Sequence, residues 1–528
     1  MSTRKKTTTR KKATRKKATT RKKATTRKKK TTRKKTTRKK ATARKKTTRK
    51  KAPARKKAPG KKPASTPPSS GTTPSSGPAT TTTTSGTTPP AGPPPAGSVG
   101  GPAGIRVRMY RVGFGDFFLL SLRAPDGTPL HILVDCGVHA ANLGTIGAAI
   151  DQLAIDTGKQ LALVIMTHRH ADHISGFGTG SAVFAQFQVE RVWMSWFEDP
   201  NDAAATNFQA NITALAGKLK QSLAARTDET GRQLFNMAEN ITGAAAAAGG
   251  GNAAALATLH GGFKNKAPVD YYKAGDAPTL PDSLVHAGLA AQILGPPTDP
   301  ALVAQMDNKP QQYLAATGSA NAPPNRFSSV FTATASAYPA EAFGVFSAAE
   351  LASQVTSNQP DLLAAQAAKA DNTINNQSLI VLFTFGGKKL LFAGDAQWGN
   401  WDNFLFGGAV VGASTPLTAG SASILGSLDF YKVGHHGSTN ANPIPAVNAM
   451  RDGVVAMCST QPGAYGSVKN NSEVPRGPLI DALDKKTKDQ LARADQVAVP
   501  NYPVDPALEP LPKIFTKDDA KGYIDYEM

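Results

Sequence analysis

The chain has 528 residues and a formal net charge of +26, and that positive charge is concentrated at one end. Residues 1–62 contain 33 lysines and arginines and no acidic residue, which leaves 30 basic and 37 acidic side chains in the rest. Two cysteines are too few for a disulfide framework, no apolar run approaches the ~18 residues of a membrane span, and the first residues lack the apolar core of a secretory signal. We therefore expect a cytoplasmic protein without a membrane partner.

Residues 1–62 repeat a short basic unit, Thr-Arg-Lys-Lys, followed mostly by Ala or Thr. Because this tail has almost no large apolar side chain and repels itself, we expect it to be disordered when free. Each phosphate that it neutralises would release a condensed cation, so the tail is predicted to bind DNA or RNA without base specificity and to associate with the nucleoid. The candidate nucleic-acid contacts are Arg4, Lys5, Lys6, Arg15, Lys16, Lys17, Arg27, Lys28 and Lys29.

This basic tail resembles the lysine-rich tails of linker-histone-like bacterial proteins. The alternative is a tail that only improves solubility or binds an acidic protein surface. Residues 63–102 contain Pro, Thr, Ser, Gly and Ala apart from Val99, and no charge. Such a composition is typical of a linker, so the tail is expected to be tethered to a folded body that comprises residues 103–528.

The first half of the body is predicted to contain strands that lead into a polar motif. Apolar alternation or short apolar runs predict strands at 105–110, 117–122, 131–134, 161–166 and 189–194. The fourth of these runs directly into Thr167-His168-Arg169-His170-Ala171-Asp172-His173, after which a helix should begin.

Three imidazoles and a carboxylate within six residues suggest a metal site, because neutral imidazole and carboxylate suit zinc and similar divalent ions. We expect His168 and His170 to hold one metal and Asp172 and His173 to turn toward a second. The alternative is a solvated, charged loop with incidental histidines.

The form His-x-His-x-Asp-His after an apolar strand resembles the signature of the metallo-β-lactamase fold superfamily, whose members are mostly metal-dependent hydrolases. The turn Val-Gly-x-Gly-Asp that ends at Asp116, followed by Asp-x-Gly from Asp135, is similar to the hydrolase domain of ComEC-type competence proteins. By spacing alone, Gly113 and Gly115 would indicate an ordinary tight hairpin. The resemblance implies an α/β fold, the αββα sandwich, with metals at one edge between the sheets.

Two irregular segments, near 200–280 and 297–370, enlarge the body beyond a minimal hydrolase of this type. The first contains a predicted helix at 210–227 and a break at Gly249–Gly251. We interpret both segments as insertions at the rim of the site that shape substrate access, with plain packing elements as the alternative.

The second half of the body returns to strands, with a hairpin turn at Gly386-Gly387 and further strands that lead to Gly394-Asp395 and Gly434-His435-His436-Gly437-Ser438. The resemblance implies that Asp395 bridges both metals. It assigns His435 to the second metal and His436 to the substrate side, and the reverse assignment stays open. A last strand is expected at 454–459 and a late helix at 478–483.

The first metal position departs from the wider family, in which a further histidine often joins it from the interval before Asp395. This chain has only His260 and His286 there, and neither lies in a recognisable ligand phrase. The first metal would then be held by His168, His170 and Asp395 with water or an Asn such as Asn376. We expect this first site to be weaker or more exchangeable. The protein as a whole should bind one or two divalent ions, with zinc favoured and manganese as an alternative.

These features together imply hydrolysis by a metal-bound hydroxide, with Asp172 orienting or deprotonating the water and His436 as candidate acid for the leaving group. The leading hypothesis is a phosphodiesterase or nuclease that acts on nucleic acid. One alternative is a hydrolase of small esters, lactones or phosphodiesters that the tail tethers to nucleic acid. Another is a nucleic-acid-binding protein without turnover.

The tail prediction can be tested by removing residues 1–62. We expect the full chain to bind a labelled DNA duplex with an affinity that falls about 10³-fold or more between 50 and 200 mM salt, as for a protein with at least six phosphate contacts. The truncated chain should lose this binding, which fluorescence anisotropy across a salt series would measure. Equal binding by both chains would contradict the prediction.

Overall fold

A computed structural model describes residues 104–224, 227, 229–242, 252–314, 371–408, 415–468 and 471–528. The predicted tail (1–62), the predicted linker (63–102), Ala103, the Gly249–Gly251 break and residues 315–370 of the second irregular segment lie outside the described residues. The division into tail, linker and body therefore stays a prediction.

The described residues contain fourteen strands, which form two mixed sheets. In chain order they are β1 (Ile105–Tyr110), β2 (Phe117–Arg123), β3 (Pro129–Cys136), β4 (Gln160–Met166), β5 (Gln188–Ser195), β6 (Val269–Tyr272), β7 (Ala290–Gly295), β8 (Ile380–Phe385), β9 (Lys388–Phe392), β10 (Phe430–Lys432), β11 (Val455–Cys458), β12 (Leu491–Arg493), β13 (Phe515–Asp518) and β14 (Tyr523–Glu527).

The first sheet has the strand order β13-β14-β1-β2-β3-β4-β5-β6, and the second has the order β12-β11-β10-β9-β8-β7. In the first sheet, each pair of neighbouring strands from β13 across to β3 is antiparallel, and each pair from β3 across to β6 is parallel. In the second sheet, each pair of neighbouring strands from β12 across to β9 is parallel, and each pair from β9 across to β7 is antiparallel. The carboxyl ends of several parallel strands therefore lie at one edge of each sheet.

Helices in the described part of the chain follow or connect these strands. They are α1 (Ile146–Thr157), α2 (Ala171–Thr179), α3 (Ser181–Phe184), α4 (Ala203–Leu223), α5 (Glu229–Thr242), α6 (Asn252–Ala257), α7 (Asp282–His286), α8 (Pro300–Val303), α9 (Trp398–Phe406), α10 (Ala419–Leu425), α11 (Ile444–Ala449) and α12 (Gly477–Thr487). Residues 371–375 are also helical. None of the described helices combines the length and the apolar character that crossing a bilayer requires.

A central hydrophobic core lies between the two sheets. The rings of Phe118 in β2 and Phe392 in β9 meet across it, with centroids 6.1 Å apart, and Phe383 in β8 is buried in the same core. Two further cores cover the outer faces. One joins the first sheet to α1 and α2, and the other joins the second sheet to α9 and α12.

Strand β4 shows why the apolar run before the histidines predicts a strand. Leu161 to Met166 are all buried, because β4 is paired in parallel on both sides and covered on both faces. A strand buried on both faces reads as a continuous apolar run rather than an alternation. The predicted β4 is confirmed, as are the strands at 105–110, 117–122, 131–134 and 189–194, with no end differing by more than two residues.

The structure differs from the sequence interpretation in the first irregular segment and just before the second. Strand β6, inside the first segment, extends the first sheet, so part of that segment belongs to the framework rather than to the rim. Strand β7 lies between the two segments, has no counterpart among the predicted strands and extends the second sheet. The helix predicted at 210–227 is α4, which begins earlier, at Ala203, because the side chain of Asp202 caps it by accepting hydrogen bonds from Ala204 N and Ala205 N.

The C-terminal hairpin of β13 and β14 has no counterpart in the sequence interpretation. Strand β14 pairs with β1 and buries Arg108, whose Nε and Nη2 each donate a 2.7 Å hydrogen bond to Asp525. The Arg108 guanidinium also lies 3.3 Å from the centre of the Tyr523 ring. Alternating apolar and polar residues are typical of a strand with one face in water, and these contacts explain why β1 is largely buried instead.

The core between the sheets is expected to dominate stability. Replacing Phe383 by Ala should lower the free energy of unfolding by about 3–5 kcal/mol, because it removes a buried ring and leaves a cavity. Val285→Ala, at a side chain that is 54% exposed, should change it by less than about 0.5 kcal/mol. Urea unfolding followed by circular dichroism would measure both, and equal effects would contradict the described core.

Candidate metal centre

Side chains from both sheets meet at the edge where the parallel strands end. They come from the residue before β2 (Asp116), the end of β3 (Asp135), the loop after β4 and the first turn of α2 (His168, His170, Asp172 and His173), the residues after β9 (Asp395) and the turn after β10 (His435 and His436). The fold therefore brings the two halves of the predicted site together, although they are more than 200 residues apart in the chain.

Glycines allow the backbone segments to approach closely at this edge. A Cβ on Gly137 would lie 2.4 Å from the backbone nitrogen of His173, and one on Gly115 would lie 2.8 Å from the backbone oxygen of Asp172. The backbone nitrogen of Asp116 donates to that same Asp172 oxygen at 2.9 Å. The glycine turn is thus both a hairpin connection and a support for the metal-ligand loop.

Four side chains form the larger group of candidate ligands: Asp172, His173, Asp395 and His436. The Nε2 atom of His173 lies 3.0 Å from Asp395 Oδ2, and the Nε2 atom of His436 lies 3.5 Å from both Asp395 Oδ2 and Asp172 Oδ2. All four side chains are buried. Two carboxylates and two imidazoles that converge in this way are a donor set suited to zinc or manganese.

A second candidate group shares Asp172 and adds His168 and His170. The Nε2 atom of His168 lies 3.1 Å from the Nδ1 atom of His170. Two nitrogens bound to one tetrahedral zinc at their usual bond lengths would be about 3.3 Å apart. The spacing therefore fits two imidazoles on one cation.

Most of these histidines are held through the ring nitrogen that faces away from the cluster. His168 Nδ1 lies 3.2 Å from both Thr167 Oγ1 and Ser378 Oγ, whereas His173 Nδ1 lies 2.8 Å from Asp135 Oδ2. His436 Nδ1 lies 2.9 Å from the backbone oxygen of Ser459. Contacts of this kind fix ring orientation and leave the other nitrogen available to a metal.

Several buried polar atoms of the two groups make no hydrogen bond. Those that face the candidate metal positions include Asp172 Oδ1, His173 Nε2, Asp395 Oδ1 and Oδ2, and His436 Nε2. A buried polar atom without a hydrogen bond costs free energy, and so many at one place call for a ligand. A divalent cation would satisfy both the carboxylate oxygens and the imidazole nitrogens, so the residues present fit a metal.

The electrostatics of the site also favour a cation. Burial, and then the charges of Asp172 and Asp395, raise the pKa of the nearby Asp371 carboxyl well above its usual value. Burial lowers the pKa of His170 to about 4, so this imidazole is neutral at physiological pH, as a metal ligand must be. Burial opposes ionisation of Asp395, but neighbouring histidines, His173 first, outweigh it and hold its pKa well below the usual range.

Lys432 is a charged partner of the site to which the sequence interpretation gave no role. Its Nζ atom is buried, contacts Asp116 Oδ2, donates to the backbone oxygen of Gly394 at 3.1 Å and lies 3.7 Å from Asp395 Oδ1. Burial would lower the pKa of Lys432, but Asp116 and then Asp395 outweigh burial and raise it. A third candidate ligand group, formed by Asp116, Asp135 and His173, therefore already has the positive charge of Lys432 beside it.

The structure separates the two adjacent histidines after β10. Both have left-handed backbone angles, with φ of 46° at His435 and 54° at His436, which turns their side chains in different directions. His436 belongs to the four-residue group, whereas His435 is 20% exposed and its Nε2 atom lies 3.6 Å from Asp395 Oδ2. The geometry thus favours His436 as the metal ligand and His435 on the substrate side, which is the reverse of the assignment that the resemblance implies.

The other residues considered for the first position are engaged elsewhere. The Asn376 amide donates to the backbone oxygens of Val303 and Gln305 and accepts from two backbone nitrogens, so it anchors a loop rather than facing the cluster. His260 lies beside Tyr271, and His286 contacts the backbone of its own helix. Neither belongs to a ligand group among the described residues.

Sequence reasoning missed the roles of four residues at this edge. Asp116 and Asp135 were part of the quoted motifs but had no assigned contact, and Lys432 could have been noticed as a charge within an otherwise apolar strand. Asp371 lies 3.5 Å from His170 Nε2, and no sequence signal marks it.

No protein-family model matches this chain, and no curated protein shows significant similarity to it. The α/β fold and the buried cluster of His and Asp, which could hold a metal ion, are compatible with a metallo-β-lactamase.

Substituting each of the adjacent histidines separately should distinguish them. We expect His436→Ala to lose about one equivalent of bound zinc, because it removes one of four converging ligands, whereas His435→Ala should retain its zinc. Elemental analysis of the purified full-length variants, after exposure to a competing zinc chelator, would measure the zinc that each variant retains. Loss of zinc in His435→Ala alone would restore the assignment implied by the resemblance.

Proposed function

We propose that this chain is a metal-dependent hydrolase that cleaves phosphodiester bonds in nucleic acid. The observation that carries the proposal is the convergence of two ligand groups on the shared carboxylate Asp172, at the edge where strands of both sheets end. Two mixed sheets packed face to face, with helices outside them, support an αββα sandwich of the metallo-β-lactamase type.

Bound divalent cations would supply Lewis acidity and lower the pKa of a water molecule toward neutrality. His168 and His170 would hold the first position, and His173, Asp395 and His436 the second. Asp395 has one oxygen toward the second group and the other 3.7 Å from Lys432 Nζ, so Lys432 would limit how far this carboxylate can turn to bridge both positions.

Asp172 would handle the proton of the attacking water. Its Oδ2 atom lies 3.5 Å from His436 Nε2, and its buried Oδ1 atom makes no hydrogen bond. A carboxylate with one oxygen held and one available can orient a water molecule and accept its proton. His435, which is partly exposed and close to Asp395, would be the donor nearest a leaving group if His436 binds metal.

The substrate class follows from the charge of the chain as well as from the site. A tail with 33 basic and no acidic residues in its 62 positions would concentrate the protein on nucleic acid and raise the local density of phosphodiesters. Two adjacent cations are also suited to phosphoryl chemistry, since they stabilise both the attacking and the leaving oxygen.

A second candidate is a hydrolase of small esters, lactones or phosphodiesters, which the tail only holds near nucleic acid. The burial of the candidate ligands favours it, because His168, His170, His173 and His436 are each at most 1% exposed. A small substrate or a single extruded strand would reach such atoms more readily than an intact duplex.

Cleavage assays test the proposal. Full-length protein with zinc or manganese should cleave plasmid or single-stranded DNA, and His170→Ala should reduce the rate by at least about 100-fold through loss of a ligand. Val285→Ala, on the surface, is the matched control and should keep its activity. Absence of cleavage with either metal would remove the nuclease proposal.

Removing residues 1–62 separates the two candidates. A nuclease that depends on the tail should lose its salt-sensitive activity on DNA, whereas turnover of a small chromogenic phosphodiester or ester should persist in the truncated chain. Turnover of small substrates without any cleavage of DNA would favour the second candidate.

A further inference from the structure

The two ring nitrogens of His170 have different surroundings. The Nδ1 atom faces the first ligand group and lies 3.1 Å from His168 Nε2. The Nε2 atom, at the other end of the ring, is buried, makes no hydrogen bond and lies 3.5 Å from Oδ1 of Asp371. Because the ring nitrogens point in widely different directions, a cation bound at Nδ1 leaves Nε2 free for another partner.

The other histidines of the two ligand groups already have such a partner on the side away from the cluster. Hydroxyl groups lie beside His168 Nδ1, the carboxylate of Asp135 lies beside His173 Nδ1, and a backbone oxygen lies beside His436 Nδ1. Among the described residues, Asp371 is the carboxylate that takes the corresponding place at His170.

We propose that Asp371 is a positioning residue for the metal centre: it accepts a hydrogen bond from His170 Nε2 and so presents the unprotonated Nδ1 to the first cation. A neutral imidazole carries one proton, and an acceptor at Nε2 keeps that proton there. A carboxylate in this position also makes the ligating nitrogen more basic. The inference rests on the proposed metal centre but not on the identity of the substrate.

The required adjustment is small. An N–H···O hydrogen bond has a donor–acceptor distance up to about 3.2 Å, so the carboxylate must move closer by a few tenths of an ångström. The Asp371 side chain is 17% exposed and lies in the helical residues 371–375, so it can change its side-chain rotation without disturbing a sheet.

This role matters for the first metal position, which lacks the further histidine ligand often found in the wider family. His168 and His170 have no third histidine beside them in the described ligand groups, so the strength of each remaining imidazole matters more. Asp371 would strengthen His170 rather than bind the cation itself, because its contact is with the nitrogen that faces away from His168.

The experiment compares metal binding by full-length protein and three variants. Zinc and cobalt titrations with a competing chelator should show that Asp371→Ala binds the first cation about 10- to 100-fold more weakly and the second unchanged. Asp371→Asn keeps a neutral acceptor and should give a smaller loss. Asp307→Ala is the matched control, because Asp307 is also a half-buried carboxylate but contacts Gln312 instead of a histidine.

A second readout separates positioning from general destabilisation. Nitrogen NMR of the histidine rings, with the His170 signals identified by their absence in His170→Ala, should show a proton fixed on Nε2 in the zinc-loaded protein. Asp371→Ala should show exchange between the two protonation forms, and Asp307→Ala should not. These shifts report on one ring and do not respond to a change in overall stability.

Each possible result either upholds or overturns the proposed role of Asp371. Unchanged affinity and an unchanged His170 ring in Asp371→Ala would overturn it, and so would an equal loss in Asp307→Ala. Failure of the full chain to bind either metal would overturn both the inference and the proposed function. Metal binding that depends on Asp371 in a protein that hydrolyses no substrate would uphold the inference and reject the hydrolase.

Discussion

The structure depends on the burial of opposite charges at one edge between two sheets. Asp116, Asp172 and Asp395 lie almost completely out of water, and a buried carboxylate is stable only beside a cation or strong hydrogen-bond donors. Lys432 provides one positive charge from within the fold, and the remaining oxygens face imidazoles. The chain therefore supplies only part of the positive charge that these carboxylates require, and a metal ion could supply the rest.

The two mixed sheets make this arrangement possible. Parallel strands in both sheets end at the same edge, so short loops from distant parts of the chain reach one place without crossing the core. The same loops are tightly supported: the glycine turn before β2 packs on the backbone of the metal-ligand loop, and Ser378 in the second half contacts His168 in the first. The site is thus a property of the contact between sheets, and changes in the central core would alter its geometry as well as stability.

Local patterns predicted a large part of this structure. The apolar run before His168 implied a buried strand, and the spacing of the histidines implied ligands because imidazoles at alternate positions point the same way. Short-range effects of this kind do not depend on the rest of the fold. By contrast, β6 lies inside an irregular segment and β7 between the two such segments, and the pairing of β14 with β1 joins residues more than 400 positions apart. Periodicity carries no information about such pairings.

The amino-acid sequence by itself determined that the chain has a polycationic end and one loop with a candidate metal-ligand spacing, since charge and local spacing depend only on the residue order. Tertiary structure alone decided which distant side chains surround that loop. Left-handed backbone angles turned His436 rather than His435 inward, and chain packing brought Lys432 and Asp371 beside ligands that they do not neighbour in sequence. Those contacts arise from the stacking of two sheets, a long-range constraint that no local motif encodes.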